Sequence, residues 1–163
     1  MTNGGTILLI DDSPDDVLLI RLALARAGVI NPLRIVADGE NAIQYFMGEG
    51  PFTDRSAFPL PALVLLDIAM PRMGGFEVLG WIRHQPQLNQ MPIIVLTGSS
   101  LLADAKRAYQ MGANSFFTKP ADLTELTLSL REMADFWLSS CHSPSSFRLG
   151  DVAEVGTIAQ GLG

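Results

Sequence analysis

The sequence predicts an α/β fold, a five-stranded parallel sheet doubly wound by helices, and three observations carry the prediction. Short runs rich in aliphatic residues, with no polar alternation, recur at 6–10 (TILLI), 33–36 (LRIV), 62–68 (ALVLLDI), 92–96 (PIIVL) and 115–119 (SFFTK). Such runs read as strands buried on both faces. A helical stretch follows each strand, and strict alternation with mostly short links demands parallel strands joined by right-handed crossovers. Finally, the residues able to carry chemistry fall just past the strands, where open α/β sheets place their ligands.

The elements follow in order. Thr6 to Ile10 is the first strand, ending on Asp11, Asp12 and Ser13. Ser13 as N-cap and Pro14 at the first helical position open a helix, Asp15 and Asp16 suit its positive end, and Gly28 stops it after Ala27. Val17, Leu18, Ile20, Leu22 and Leu24 predict heavy burial of this helix against a sheet. Asn31 and Pro32 punctuate the entry to the second strand, Leu33 to Val36, and the turn formers Asp38 and Gly39 precede a second helix, Asn41 to Met47.

The segment 48–61, GEGPFTDRSAFPLP, is dense in Gly and Pro and about 14 residues long. That exceeds the usual helix-to-strand link, so it is either a functional loop or an insertion. Its Phe52 and Phe58 either tack the loop to its own domain, the commoner outcome, or dock on a partner. Ala62 to Ile68 is the third strand and Gly74 to His84 the third helix, with Val78, Leu79 and Ile82 on one face. His84 reads as a cap on the helix dipole rather than a phosphohistidine.

Pro92 to Leu96 is the fourth strand, ending at Thr97 and Gly98, and Leu101 to Met111 is the fourth helix, closed by Gly112. Ser115 to Lys119 is the fifth strand, closed by Pro120. The fifth helix starts near Leu123 with Leu126, Leu130, Met133 and Trp137 on one stripe; Phe136 and Trp137 are core or a dimer seam.

A chain of 163 residues with 48% hydrophobic content fits one packed domain. A net charge of −6 with only 11 scattered Lys and Arg argues against nucleic acid as a direct ligand. The single cysteine, Cys141, cannot form an internal disulfide, and the start MTNGG lacks the regions of a signal peptide. No apolar stretch reaches the ~18 to 20 residues that span a bilayer. These features predict a cytoplasmic protein with no membrane segment. The domain is expected over 6–139, and 140–163 as a poorly ordered tail too short to bury the core of an output domain.

The strand ends collect Asp11 and Asp12 after the first strand, Asp67 after the third, Thr97 after the fourth and Lys119 after the fifth. Two carboxylates about 4 Å apart repel by roughly 4 kcal/mol at an effective dielectric near 20, so three cannot stay ionised together against one ammonium. A hard divalent cation completes the balance, and oxygen ligands with substrate phosphate suit Mg²⁺. Asp67 could then attack phosphorus to give an acyl phosphate, with Lys119 and the metal neutralising the equatorial oxygens. Thr97 would donate to the arriving group and Gly98 would leave the approach open. A group carrying nearly two charges can pull a hydroxyl and its loop inward, which makes a switch.

Four motifs together, ILLIDDSPDD, LVLLDIAMPRMGG, IIVLTGSS and SFFTKP, resemble the receiver domain of two-component response regulators over about residues 6 to 138. The resemblance implies a flavodoxin-like receiver fold, and that Asp67 accepts phosphate from a histidine kinase. It implies that Asp12 and Asp67 bind Mg²⁺ directly, Asp11 largely through water, and the backbone carbonyl of Ala69 as a further ligand. Phe116 takes the aromatic switch position, and the bond from Lys119 to Pro120 is expected cis. Homodimers through the fourth helix, fifth strand and fifth helix are implied as well. The long 48–61 loop, TGSS and the ending EMADFWLSS are similar to single-domain receivers that partner bacterial phytochrome-type histidine kinases.

Three other functions share parts of this pattern. A dehalogenase-like phosphatase also uses an aspartyl phosphate, but needs a second Asp two residues after the nucleophile, where this chain has Ala69. A flavodoxin-like cofactor binder needs a phosphate loop of amides and hydroxyls where this chain has DDSPDD. A pseudo-receiver that signals by binding without phosphate stays open. The expected protein is a signalling switch, not an enzyme acting on another substrate.

Overall fold

Strands β1 (Ile7–Ile10), β2 (Leu33–Val36), β3 (Leu63–Leu66), β4 (Ile93–Thr97) and β5 (Ser115–Thr118) form one parallel sheet in the order β2-β1-β3-β4-β5. The computed structural model describes residues 5–138. Helices α1 (Pro14–Arg26), α2 (Gly39–Met47), α3 (Gly75–His84), α4 (Leu102–Gln110) and α5 (Leu123–Trp137) complete the predicted alternation.

Side chains on successive strand residues point to opposite faces, so each buried strand serves two cores. Leu8, Ile10, Val64, Leu66, Ile93, Val95 and Phe116 pack with α2, α3 and α4, while Ile7, Leu9, Leu63, Leu65, Ile94, Leu96 and Phe117 pack with α1 and α5. This explains why the strand runs carry no polar alternation. Trp137 lies in the second core with Phe136 packed against it, so the stripe on α5 is core.

Helix starts follow local chemistry. Ser13 accepts from the Asp16 amide and Asp38 from the Asn41 amide, satisfying donors that the first turn leaves over. Burial of α1 is less than the sequence suggests: Ile20, Ala23 and Leu24 are buried, but Leu18, Leu19 and Leu22 are 55%, 38% and 43% exposed. A helix lying on a sheet and one neighbouring helix buries one face, and the apolar residues of α1 run around it.

The 48–61 segment is fastened to its own domain. The Arg55 guanidinium donates to the carbonyls of Tyr45, Phe46 and Phe58, and the Tyr45 hydroxyl donates to Pro59 O at 2.8 Å. Phe52 packs 5.2 Å from both Phe58 and Tyr45. His84 Nδ1 donates to the Gly80 carbonyl one turn back in α3 at 2.7 Å.

The expected cis bond before Pro120 is corrected: no peptide among the described residues is cis. Trans is the intrinsically favoured isomer of an X–Pro bond by about 0.5–1 kcal/mol, and here Lys119 reaches the acidic residues from a trans peptide. Cys141 and the 140–163 tail lie outside the described residues.

Candidate functional site

The sheet order places β2 and β3 on opposite sides of β1, so the chain reverses its direction of winding between β1 and β3. The crevice at such a reversal is the ligand site of open α/β sheets. Register then fixes which residues meet there. Ile10 pairs with Leu66, and the Asp67 amide donates to Ile10 O at 2.9 Å, so Asp11 and Asp67 leave adjacent strands side by side. On the far side, the Lys119 amide donates to Thr97 O, holding the end of β5 beside β4.

The end of β3 is pressed from behind by α3. A Cβ on Gly75 would meet Asp67 O and would lie 2.6 Å from Ile68 Cα, a separation side chains do not adopt. Only glycine lets the helix start so near the acidic residue. By contrast Gly98, after Thr97, faces open space, as expected for an accessible approach.

Asp11, Asp12 and Asp67 each present a carboxylate oxygen within 4.8 Å of the others; Asp11 and Asp67 are buried and Asp12 is exposed. Lys119 Nζ donates to Asp11 Oδ2 at 2.6 Å and to Asp16 Oδ2 at 2.8 Å, and stands 3.5 Å from Asp67 Oδ2. The other oxygens are held by backbone: Asp67 Oδ1 accepts from the Ala69 amide and Asp11 Oδ1 from the Ser13 amide, each at 3.0 Å.

Burial pushes the Asp11 carboxyl above its ordinary value, against the hydrogen bonds from Lys119 and the Ser13 amide and the Lys119 charge, while the Asp67 charge adds to the rise. Burial pulls the Lys119 ammonium down, but hydrogen bonds to Asp11 and Asp16 and the charges of Asp67 and Asp11 outweigh it and hold it above its ordinary value. The two shifts differ in origin: burial dominates for Asp11, whereas for Lys119 the surrounding carboxylates together outweigh burial.

Thr97 is fully buried, and its hydroxyl accepts from the Ser99 amide at 3.3 Å. Ser99 in turn donates to Asp104 at 2.5 Å and accepts from the Leu101 amide, which ties the TGSS loop to the start of α4. Phe116 lies with its ring buried among α2, α3 and α4, and its amide donates to the Tyr109 hydroxyl.

All five strand-end residues anticipated from sequence meet at one edge. Asp16 was missed, having been assigned to the helix dipole. It lies in the first turn of α1, and its link to the site is the long-range pair with Lys119, for which the local sequence carries no spacing signal.

The donor set fits a hard divalent cation. It is all oxygen, spans a distance that ligands around a common ion at about 2.0–2.6 Å would span, and carries more negative charge than Lys119 balances. Chemically, the arrangement offers a carboxylate beside a cation site, an ammonium and a hydroxyl.

The family model described as "Response regulator receiver domain" matches residues 7–131. Among curated relatives, "Probable methanogenesis regulatory protein FilR2" of Methanothrix harundinacea is 34% identical over 85% of this chain and 86% of its own. Response regulator Rcp1 of Synechocystis is 31% identical over 86% and 93%. Among solved structures, a response regulator in red light signaling of R. palustris has a TM-score of 0.80 and 33% identity, covering 85% of this chain and 96% of that one. The phosphorylated cyanobacterial phytochrome response regulator RcpA has a TM-score of 0.77 and 33% identity, covering 86% and 98%. The Mn²⁺-bound form of Rcp1 has a TM-score of 0.73 and 32% identity, covering 83% and 96%. With its sheet order, its strand-end residues and these likenesses in agreement, the chain belongs to the response regulator receiver domain family of two-component signalling.

Proposed function

We infer that this receiver accepts a phosphoryl group on Asp67 from a phosphohistidine of a sensor histidine kinase and signals through the resulting change of its surface. The observation that carries this reading is the placement of Asp67, buried at the winding reversal with Lys119 Nζ 3.5 Å away and two further carboxylates within 4.8 Å. In the transfer an Asp67 oxygen forms the new bond to phosphorus while the bond from phosphorus to the donor nitrogen breaks. The Ala69 amide on Oδ1 fixes the carboxylate plane during the attack. Lys119 neutralises an equatorial oxygen, and Thr97 turns from accepting to donating as the phosphoryl group arrives.

Asp11, Asp12 and Asp67 would hold Mg²⁺, Asp11 largely through water, with the Ala69 carbonyl as a further ligand. When bound, the cation supplies positive charge against the oxygens of the transferring group. The Mn²⁺-bound form of Rcp1 supports a divalent ion at this acidic edge. Phe116 is assigned the role of the ring that follows Thr97. Likeness to the phytochrome regulator RcpA and to the R. palustris regulator in red light signaling supports a phytochrome-type kinase as partner. Exposed Leu101, Leu102 and Leu128 on the α4 and α5 side support homodimerisation through α4, β5 and α5. The protein acts as a cytoplasmic switch built on the domain at 6–139, catalysing only its own phosphorylation and dephosphorylation.

Intact mass after incubation with acetyl phosphate tests the assignment. Wild type with Mg²⁺ should gain one phosphoryl group, and Asp67→Asn or removal of Mg²⁺ should abolish the gain. The same gain in Asp67→Asn would refute the choice of acceptor.

A further inference from the structure

We propose that Asp16 is a positioning residue that holds Lys119 away from the acceptor until a phosphoryl group arrives, so that breaking the Asp16–Lys119 pair is part of switching. This rests on Asp67 being the phosphoacceptor and concerns a residue outside that chemistry. An ammonium has three N–H donors. Two are spent on Asp11 at 2.6 Å and Asp16 at 2.8 Å, within the range of charge-assisted bonds. The third faces Asp67 at 3.5 Å, too far for a bond of that kind. Lys119 is therefore drawn toward the α1 side of the crevice.

Asp11 and Asp16 differ in what else they can do. Asp11 belongs to the trio of carboxylates that could share a cation; Asp16 stands outside it. Among the described residues its side chain bonds Lys119, and its amide is already used by the Ser13 cap. A phosphoryl group on Asp67 brings nearly two negative charges and competes for the same ammonium. The partner that must release it is Asp16. Its side chain is 38% exposed, whereas that of Asp11 is fully buried, so the Asp16 pair is the weaker of the two and can open without stranding a buried charge.

The contribution of Asp16 is a specific contact and not merely negative charge near an anion site. Asp15 provides the control: it is adjacent, exposed and equally charged, with no bond to Lys119 among the described residues. The full chain is titrated in Mg²⁺ with beryllofluoride, a tetrahedral mimic of the phosphoryl group, and bound fluoride is read by ¹⁹F NMR. Asp16→Asn should bind it more tightly than Asp15→Asn by roughly two- to fivefold, the range of a partly exposed ion pair. Asp16→Ala should move in the same direction, and Asp16→Glu, which restores the pair, should behave as wild type. Equal affinities for Asp16→Asn and Asp15→Asn, or weaker binding in Asp16→Asn, would overturn the proposal with the acceptor assignment intact. Absence of beryllofluoride binding in wild type would overturn the acceptor assignment itself, and the role of Asp16 with it.

Discussion

Replacing Gly75 by alanine isolates the coupling between α3 and the acidic edge. The added methyl would sit 2.6 Å from Ile68 Cα and closer still to the Asp67 carbonyl, both backbone atoms with no rotamer to give way. Restoring an ordinary contact of 3.4 Å requires the start of α3 to retreat from Ile68 by about 0.8 Å. Overpacking of this sort costs about 1–3 kcal/mol, and the better helix propensity of alanine returns up to about 1 kcal/mol, leaving a net loss of about 1–2 kcal/mol. The larger effect falls on chemistry. A misplacement of order 1 Å at a reacting group costs on the order of a hundredfold in rate, so phosphorylation by acetyl phosphate should slow by tens-fold or more. Urea unfolding measures the first quantity and time-resolved intact mass the second. Gly74→Ala is the control, since its Cβ would meet only ordinary contacts at 3.6 Å and 3.8 Å. A Gly75→Ala protein that phosphorylates at the wild-type rate would refute the claim that α3 positions Asp67.

Two further perturbations test the electrostatics and the 48–61 loop. Lys119→Met should lose phosphorylation while binding Mg²⁺ more tightly, because it removes a positive charge beside the cation site; weaker Mg²⁺ binding would contradict this. Since Lys119 is held above its ordinary value of 10.5 in the fold, its contribution to stability is present below that pH and is lost as pH rises through the folded value. Wild type should therefore lose more stability than Lys119→Met between about pH 10 and 12, as read by chemical denaturation at each pH. Tyr45→Phe should cost about 1–3 kcal/mol in urea unfolding, because Tyr45 is fully buried and its loss strands the Pro59 carbonyl it bonds at 2.8 Å. An unchanged midpoint would mean that water or another donor satisfies that carbonyl.

At the acidic edge, burial works against the charge on Asp11. Asp11 is raised by burial even though it bonds Lys119 directly, which means one ammonium does not offset desolvation and the Asp67 charge.

Much of the protein was legible in its sequence because the signals are local. A strand buried on both faces must be aliphatic throughout, and a helix start needs a capping oxygen, so TILLI, LVLL and Ser13 declare themselves. Strict alternation then leaves few topologies, and strand-end chemistry singled out Asp11, Asp12, Asp67, Thr97 and Lys119 without coordinates. What the tertiary structure decided is long-range. Which carboxylates share the ammonium depends on where a side chain from β5 ends relative to α1, 103 positions apart in sequence for Asp16, and no periodicity encodes that. The exposure of Leu18, Leu19 and Leu22 was hidden for the same reason: the apolar content of α1 is a property of the helix, but the face that is covered depends on the sheet and on α5. The fastening of 48–61 by Arg55 likewise depends on carbonyls that only folding brings together. The sequence alone determined the order of the elements and the chemistry at their ends; distance and burial, which set how those charges act on one another, came only with the packed fold.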